Sequence, residues 1–458
     1  MPPHLFASHH SSPKMRTSAP GRWAIVRVTI ETSGDDPGVF VVSIKPRQCP
    51  KAFFREEAEG TVSIDILKKL DEDFSGDPSE HVGSSEPNVL HSANDQIRDH
   101  AQKLAQFLWD SVAGYDKLWW SGLGTSTEVD FLAIELLLCK ELRKYVWEAL
   151  LTLAEFPGAK TAIIRAVQDE TPRLNRHQRT TPLRLVLRSR QMADLPELGA
   201  AARRCMEDLK KHGWIEVTAP GGVGELDALT EIANKHERVI LVYIGHGHKN
   251  EQNGQGELEV DRGDGQEDWV GPDGFFCALP HVKHLTLVLI ACGVGFNEAI
   301  DGWLGRADVV VAMQLPLSKD AAATFVEELL ADDPDPPDLD SPSGVVQQVA
   351  RGRADLARRY YRVETATPVI YSRDPLEIAR PWARRAAVLT IGLLGLVALV
   401  AYLLAPWLPP CTAVMLPAFT VNATPVPAAG TYTVSLSNGE MPDLVIKADI
   451  AAKPPWCR

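Results

Sequence analysis

The chain has 458 residues, of which 45% are hydrophobic and 23% charged. That balance excludes a wholly disordered or collagen-like chain, and the length allows roughly two to four domains. Lys and Arg number 47 against 60 Asp and Glu, a net charge of −13, so the chain has no global electrostatic pull toward nucleic acid and none is expected as a partner.

Residues 1–22 lack the apolar run of a signal peptide and read as a flexible tail in which His4, His9 and His10 are solvated. WAIVRVTI (23–30) and VFVVSIKP (39–46) alternate as strands joined by a turn around Gly34–Gly38. They open an N-terminal β-containing region, 23–94, that ends in the polar linker 71–94. IRDHAQKLAQFLWDSV (97–112) has helical periodicity. The aromatic pair Trp119-Trp120 is read as packing rather than as a ligand platform.

From residue 182 strands and helices alternate. PLRLVLRS (182–189), WIEV (214–217), RVILVYI (238–244), HLTLVLIA (284–291) and DVVVAM (308–313) read as strands. Segments 198–213, 226–234, 321–330 and 345–361 read as helices between and after them. Such interleaving predicts an α/β fold, a mostly parallel sheet with helices on both faces. Residues 386–405 (AAVLTIGLLGLVALVAYLLA) are twenty residues without a charge, enough for a helix to cross about 30 Å of hydrocarbon. Arg384 and Arg385 precede the run, and Trp382, Tyr402 and Trp407 flank it as interfacial anchors. Residues 351–385 carry nine Arg, whereas 407–458 carry only Lys447, Lys453 and Arg458. The N-terminal side is therefore expected on the cytoplasmic face of the inner membrane, as a single-pass protein. The tail, 409–458, is expected outside and β-rich, from TYTVSLS (431–437) and DLVIKADI (443–450) around Asn438-Gly439. The seven Cys are too few for a disulfide scaffold, but Cys411 and Cys457 flank this tail and can pair on an oxidising face, contributing at most ~4 kcal/mol; two unpaired thiols are the other reading.

In open α/β sheets, sites form at the carboxyl ends of strands. RVILVYI runs into Gly245-His246-Gly247-His248, and HLTLVLIA runs into Cys292-Gly293-Val294-Gly295. If the two strands are neighbours, His246 and Cys292 emerge side by side. An imidazole can then deprotonate the thiol and later protonate a leaving amine. The glycines let a substrate backbone approach and leave the N–H groups of Gly247 and Cys292 for a developing oxyanion. A buried structural thiol is the simpler alternative for Cys292. His246, His248, Cys277, His281, His284 and Cys292 match no standard zinc spacing, so no metal and no other cofactor is expected, and zinc stays a minority reading. Pro220–Gly224 looks like a phosphate loop but lacks the Gly-Lys-Ser/Thr that would follow, and 256–270 reads as a hairpin on the rim of a cleft or simply on the surface.

VILVYIGHGH followed by LTLVLIACGVG resembles the His and Cys motifs of CHAT domains, in the caspase-like cysteine peptidase clan. LRKYVWEALL (142–151) is similar to the family's Pro-Trp-Glu-x-Leu segment, with Val146 in place of Pro, and TAIIRAV (161–167) is similar to the strand after it. The segments 307–330, 344–356 and 368–375 resemble the parts that close the domain. The resemblance covers about 95–375 and implies a caspase-like protease domain there, with His246 as general base, Cys292 as nucleophile and the Gly247 and Cys292 N–H groups at the oxyanion. It also implies peptide-bond cleavage without a metal, a protein or peptide substrate, and a role in bacterial signalling or defence beside a co-encoded regulatory partner. Gln314 and Asp320 are the polar positions nearest to the family's substrate contacts. The family's Ser-Ala-Cys-x-Ser/Thr-Gly reads Ile290-Ala291-Cys292-Gly293-Val294-Gly295 here. A catalytically silent scaffold that binds a peptide in the same groove is the alternative from another functional class.

Overall fold

The computed structural model describes residues 22–34, 36, 39–63, 87–157, 160–167, 181–190, 195–295, 297–315, 317–331, 338–359 and 362–373, and the backbone at 420–421, 424–425, 430–434 and 446–450. Two compact units divide near Ile378.

The first unit is built on one sheet of eleven strands. In chain order these are β1 (Trp23–Thr32), β2 (Val39–Gln48), β3 (Ala58–Ser63), β4 (Phe131–Leu138), β5 (Thr161–Ala166), β6 (Leu183–Arg188), β7 (Trp214–Val217), β8 (Arg238–Ile244), β12 (His284–Ile290), β13 (Val309–Met313) and β14 (Pro368–Ser372). Three further strands, β9 (Gly247–Lys249), β10 (Gly256–Asp261) and β11 (Glu267–Val270), make a small antiparallel sheet. The large sheet runs β3-β2-β1-β4-β5-β14-β13-β12-β8-β6-β7. It is parallel except at β3/β2, β2/β1 and β14/β13. The expected N-terminal hairpin is present, but it does not stand apart. β1 pairs in parallel with β4 from Trp23↔Phe131 to Ile30↔Leu138, which carries the sheet into the N-terminal region.

The strand FLAIELLL of β4 has no clear period in the sequence because Glu135 interrupts it. Its carboxylate is 1% exposed and is held by Arg27 on the adjacent β1 and Arg47 on β2 beyond it, at 3.0 and 3.1 Å. A buried carboxylate is stable only when paired in this way.

Alternation along each strand sends side chains to two faces. Ile240, Val242, Ile244, Val288 and Ile290 join one core, with residues of α3 (Pro196–Leu209), α7 (Lys319–Leu329) and α8 (Pro342–Arg359). Leu241, Tyr243, Leu287 and Leu289 join the other, with residues of α4 (Glu225–Ala233), α5 (Pro272–Cys277) and α6 (Asp301–Leu304). Over the N-terminal strands the second face is covered by α1 (Pro87–Ser111) and α2 (Lys117–Thr125). Trp119 and Trp120 are buried in that core, and the Trp119 indole donates to the Phe53 carbonyl at 3.0 Å. A short helix α9 (Arg362–Ala366) precedes β14. The expected fold, a mostly parallel sheet with helices on both faces, is what forms.

In the second unit β17 (Gly430–Val434) pairs antiparallel with β18 (Ile446–Ile450), and β15 (Thr420–Val421) with β16 (Thr424–Pro425). The apolar run 386–405, Cys411 and Cys457 lie outside the described residues. Among the described residues no helix is long and apolar enough to cross a membrane.

Candidate active site

β8 and β12 are adjacent and parallel, in register from His284↔Arg238 to Ile290↔Ile244. The ladder continues one residue further, since the Gly245 N–H donates to the Ile290 carbonyl at 3.2 Å. His246 and Cys292 each follow the last paired residue by two positions. Two residues 46 apart in the chain therefore leave the same rim of the sheet at the same level.

The two turns are packed against each other. A Cβ on Gly247 would lie 2.7 Å from Val294 Cγ2 and 2.8 Å from Ala291 Cβ, so only glycine fits. The glycine serves the approach of the two turns, beyond the substrate access expected from sequence. Val294 is fully buried in this contact. Gly293 takes φ +72°, a left-handed conformation that turns the chain sharply after the thiol.

The His246 backbone is held from the small sheet. Its carbonyl accepts from the Glu259 N–H at 3.2 Å, and the buried Tyr243 hydroxyl donates to the Glu259 carbonyl at 2.6 Å with the His246 carbonyl 3.1 Å away. β9 pairs with β10 as Leu258↔Gly247 and Glu257↔His248. Hydrogen-bonded and non-bonded pairs alternate in an antiparallel ladder. With His246 bonded to Glu259, Gly247 falls at a non-bonded position, and its N–H points away from β10. The segment 256–270 is a hairpin, as its sequence predicts, and it carries the exposed Trp269, whose ring packs edge-on against His248 at 4.1 Å.

Burial pushes the Cys292 thiol above the ordinary range, and the Leu317 N–H, hydrogen-bonded to the sulfur, partly opposes this. A thiol in that environment rests protonated at neutral pH. Leu317 lies in the segment between β13 and α7. Asp320 sits exposed in the first turn of that helix, three residues beyond.

Gln314 is elsewhere than expected. It is 3% exposed and its amide is committed inside the protein. Nε2 donates to Glu148 and to the Ala366 carbonyl, both at 2.8 Å, and Oε1 accepts from Arg165 at 2.9 Å. It belongs to a buried polar network. Glu148 and Arg165 were not singled out by sequence reasoning. The available signal was a carboxylate inside WEALL and a guanidinium inside TAIIRAV, since charges in apolar segments need partners.

Among the described residues no three His, Cys, Asp or Glu side chains are grouped as a metal site. His284 faces Asp308 at 3.3 Å and His248 faces Glu257 at 3.7 Å, in separate pairs. Pro220–Gly224 is the turn before α4.

No family model and no curated protein matches the sequence. Similar solved structures include the separase–securin complex of Saccharomyces cerevisiae, at 10% identity and a TM-score of 0.44, covering 76% of this chain and 30% of that one. A secreted C11 cysteine protease from Bacteroides thetaiotaomicron, in complex with an irreversible peptide inhibitor, is 13% identical with a TM-score of 0.29, covering 39% and 60% of the two chains. The complex of the Porphyromonas gingivalis RgpB pro- and mature domains is 14% identical with a TM-score of 0.29, covering 67% and 75%. The chain thus spans 30% of the length of the separase chain.

Proposed function

We propose that the chain is a cysteine peptidase of CHAT type, with Cys292 as nucleophile and His246 as general base. The observation that carries this reading is the β8/β12 register, which supports a meeting of imidazole and thiol at one rim. As a peptide carbonyl arrives, His246 takes the thiol proton while Sγ bonds to the carbonyl carbon and the π electrons move to oxygen. The Gly247 and Cys292 N–H groups would stabilise that oxygen, each such donor being worth about 10²–10³ in rate. Collapse breaks the C–N bond, and the amine leaves with the proton from His246. Water, deprotonated by His246, then attacks the thioester, releases the acid and restores the thiol. The raised Cys292 thiol fits proton transfer during attack, not a preformed thiolate. Asp320 adds negative charge beside the segment that touches the sulfur.

The membrane belongs to this proposal: residues 386–405 would anchor the peptidase on the cytoplasmic side of the inner membrane, with a Cys411–Cys457 disulfide in the outer tail. The biological setting proposed is bacterial signalling or defence, with a co-encoded regulator and a protein substrate.

The test is covalent labelling of the full-length chain with a peptidyl acyloxymethyl ketone. Labelling is expected in the wild type, none in Cys292→Ala, and a loss of about 10²–10⁴ in rate in His246→Ala. Labelling that persists in Cys292→Ala would reject the peptidase. The silent scaffold is favoured by one observation, the half-burial of Cys292 that raises its thiol, and it predicts peptide binding without any labelling.

A further inference from the structure

The turn that follows Cys292 is Gly293-Val294-Gly295, with one side chain to hold it. Its far end is pinned twice. The Gly295 N–H donates to the Met313 carbonyl at 2.9 Å, and the Gly295 carbonyl accepts from the Tyr371 hydroxyl at 3.2 Å. Tyr371 lies on β14 and is 2% exposed. Its oxygen in turn accepts from Arg165 Nη1 on β5 at 3.3 Å. Arg165 Nε donates to Glu148 Oε1 at 3.1 Å, and its other N–H groups reach the Arg143 and Tyr145 carbonyls at 2.9 and 3.1 Å. Glu148 is fully buried, so this ion pair is shielded from water. The same pair binds Gln314, which follows Met313 and precedes Leu317, the donor to the Cys292 sulfur.

We propose that Tyr371, oriented by the buried Arg165–Glu148 pair, is a positioning residue that holds the Cys292–Gly295 turn in the arrangement His246 needs. The inference rests on the peptidase reading above. Each hydroxyl contact has a direction. Arg165 donates to the Tyr371 oxygen, which leaves the phenol proton for the Gly295 carbonyl. Burial raises the Tyr371 pKa while Arg165 lowers it, and the net rise keeps that proton in place. The N-terminal strands thereby support a turn at the end of a C-terminal strand.

The experiment compares the full-length wild type, Tyr371→Phe, Gln314→Met and His246→Ala. Two probes are used, iodoacetamide across pH and the peptidyl acyloxymethyl ketone across concentration. Tyr371→Phe keeps the ring and removes one hydroxyl. It is expected to lower the maximal rate of ketone labelling about tenfold, leaving the half-saturating concentration and the final labelled fraction unchanged. The iodoacetamide profile of Cys292 should move toward that of His246→Ala. A merely structural role would lower the labelled fraction and leave the rate alone. Gln314→Met, which frees the Met313–Leu317 segment from the same pair, should give the same signature at smaller size and serves if Tyr371→Phe fails to fold. Wild-type rates and profiles in the folded variants, with His246→Ala impaired, would overturn the inference and spare the peptidase. If His246→Ala matches the wild type as well, the peptidase reading fails and this inference falls with it.

Discussion

Two of the parallel strands of the large sheet run into a cysteine, and their surroundings differ. β4 ends at Leu138 with Cys139 next, and β12 ends at Ile290 with Cys292 two residues on. Burial pushes both thiols up. Cys139 reaches about 11, and the adjacent Glu141 adds to the rise because its carboxylate accepts from the thiol and repels a thiolate. A backbone N–H favours the thiolate at each sulfur, Leu142 at Cys139 and Leu317 at Cys292, but among the described residues no carboxylate adds to the rise at Cys292. The neighbouring strands differ as well. β4 lies between β1 and β5, whose carboxyl ends run into Ser33 and Val167, whereas β12 lies beside β8, which leads to His246. On the peptidase reading, a strand-end cysteine gains its chemistry from its parallel neighbour, not from its own place in the chain.

The largest way to break this comparison is at Gly247, where the two turns of the candidate site touch. Gly247→Ala puts a methyl against Val294 and Ala291 and is expected to cost about 1–3 kcal/mol of stability. Labelling by the peptidyl ketone should fall by about tenfold or more in the fraction that remains folded. Wild-type urea midpoints and labelling rates would mean that the turns do not meet as described.

A middle-sized effect concerns the thiols outside the candidate site. Cys49 is pushed up to about 12, and Cys139 and Cys205 to about 11, each chiefly by burial. Their folded pKa values lie above the unfolded value of about 8.5, so the stability they contribute is full below about pH 8.5 and is lost as pH rises toward 11–12. Urea unfolding measured across this alkaline range should show falling stability. Cys49→Ala should flatten the slope, and an unchanged slope would contradict the burial of that thiol.

The smallest effect concerns a charge near the network behind Cys292. Arg353 is fully buried on α8, donates to the Pro368 carbonyl, and its Nε and Nη1 have no hydrogen-bond partner among the described residues. Burial lowers its pKa to about 10. Replacing a poorly paired buried charge with an apolar side chain is often neutral or stabilising. Arg353→Met should therefore leave stability unchanged or raise it by about 1 kcal/mol in urea unfolding. A loss of about 2 kcal/mol or more would show that the guanidinium carries an interaction as strong as that of Arg165.

His246 and Cys292 could be singled out from sequence because RVILVYI and HLTLVLIA are apolar runs that stop at glycine-flanked reactive residues. Such runs mark strands buried on both faces. Glu135 hid β4, since a carboxylate inside a strand looks like a surface residue until Arg27 and Arg47 are brought to it from about a hundred residues away. Gln314 looked available for substrate for the complementary reason. Its partners Arg165 and Glu148 lie 149 and 166 residues away, and sequence proximity to a motif says nothing about where an amide is consumed.

Local pattern alone determined most of the strands and helices from residue 182 onward, that their sheet is mostly parallel, and which two residues could form a dyad. These follow from the periodicity of apolar side chains, and that information is carried within each segment. Tertiary structure alone decided that β8 and β12 are neighbours, that the N-terminal hairpin joins their sheet, and that Tyr371 stands behind the Cys292 turn. Strand order and long-range hydrogen bonds depend on the competition of all segments for one core, and no single segment encodes the outcome.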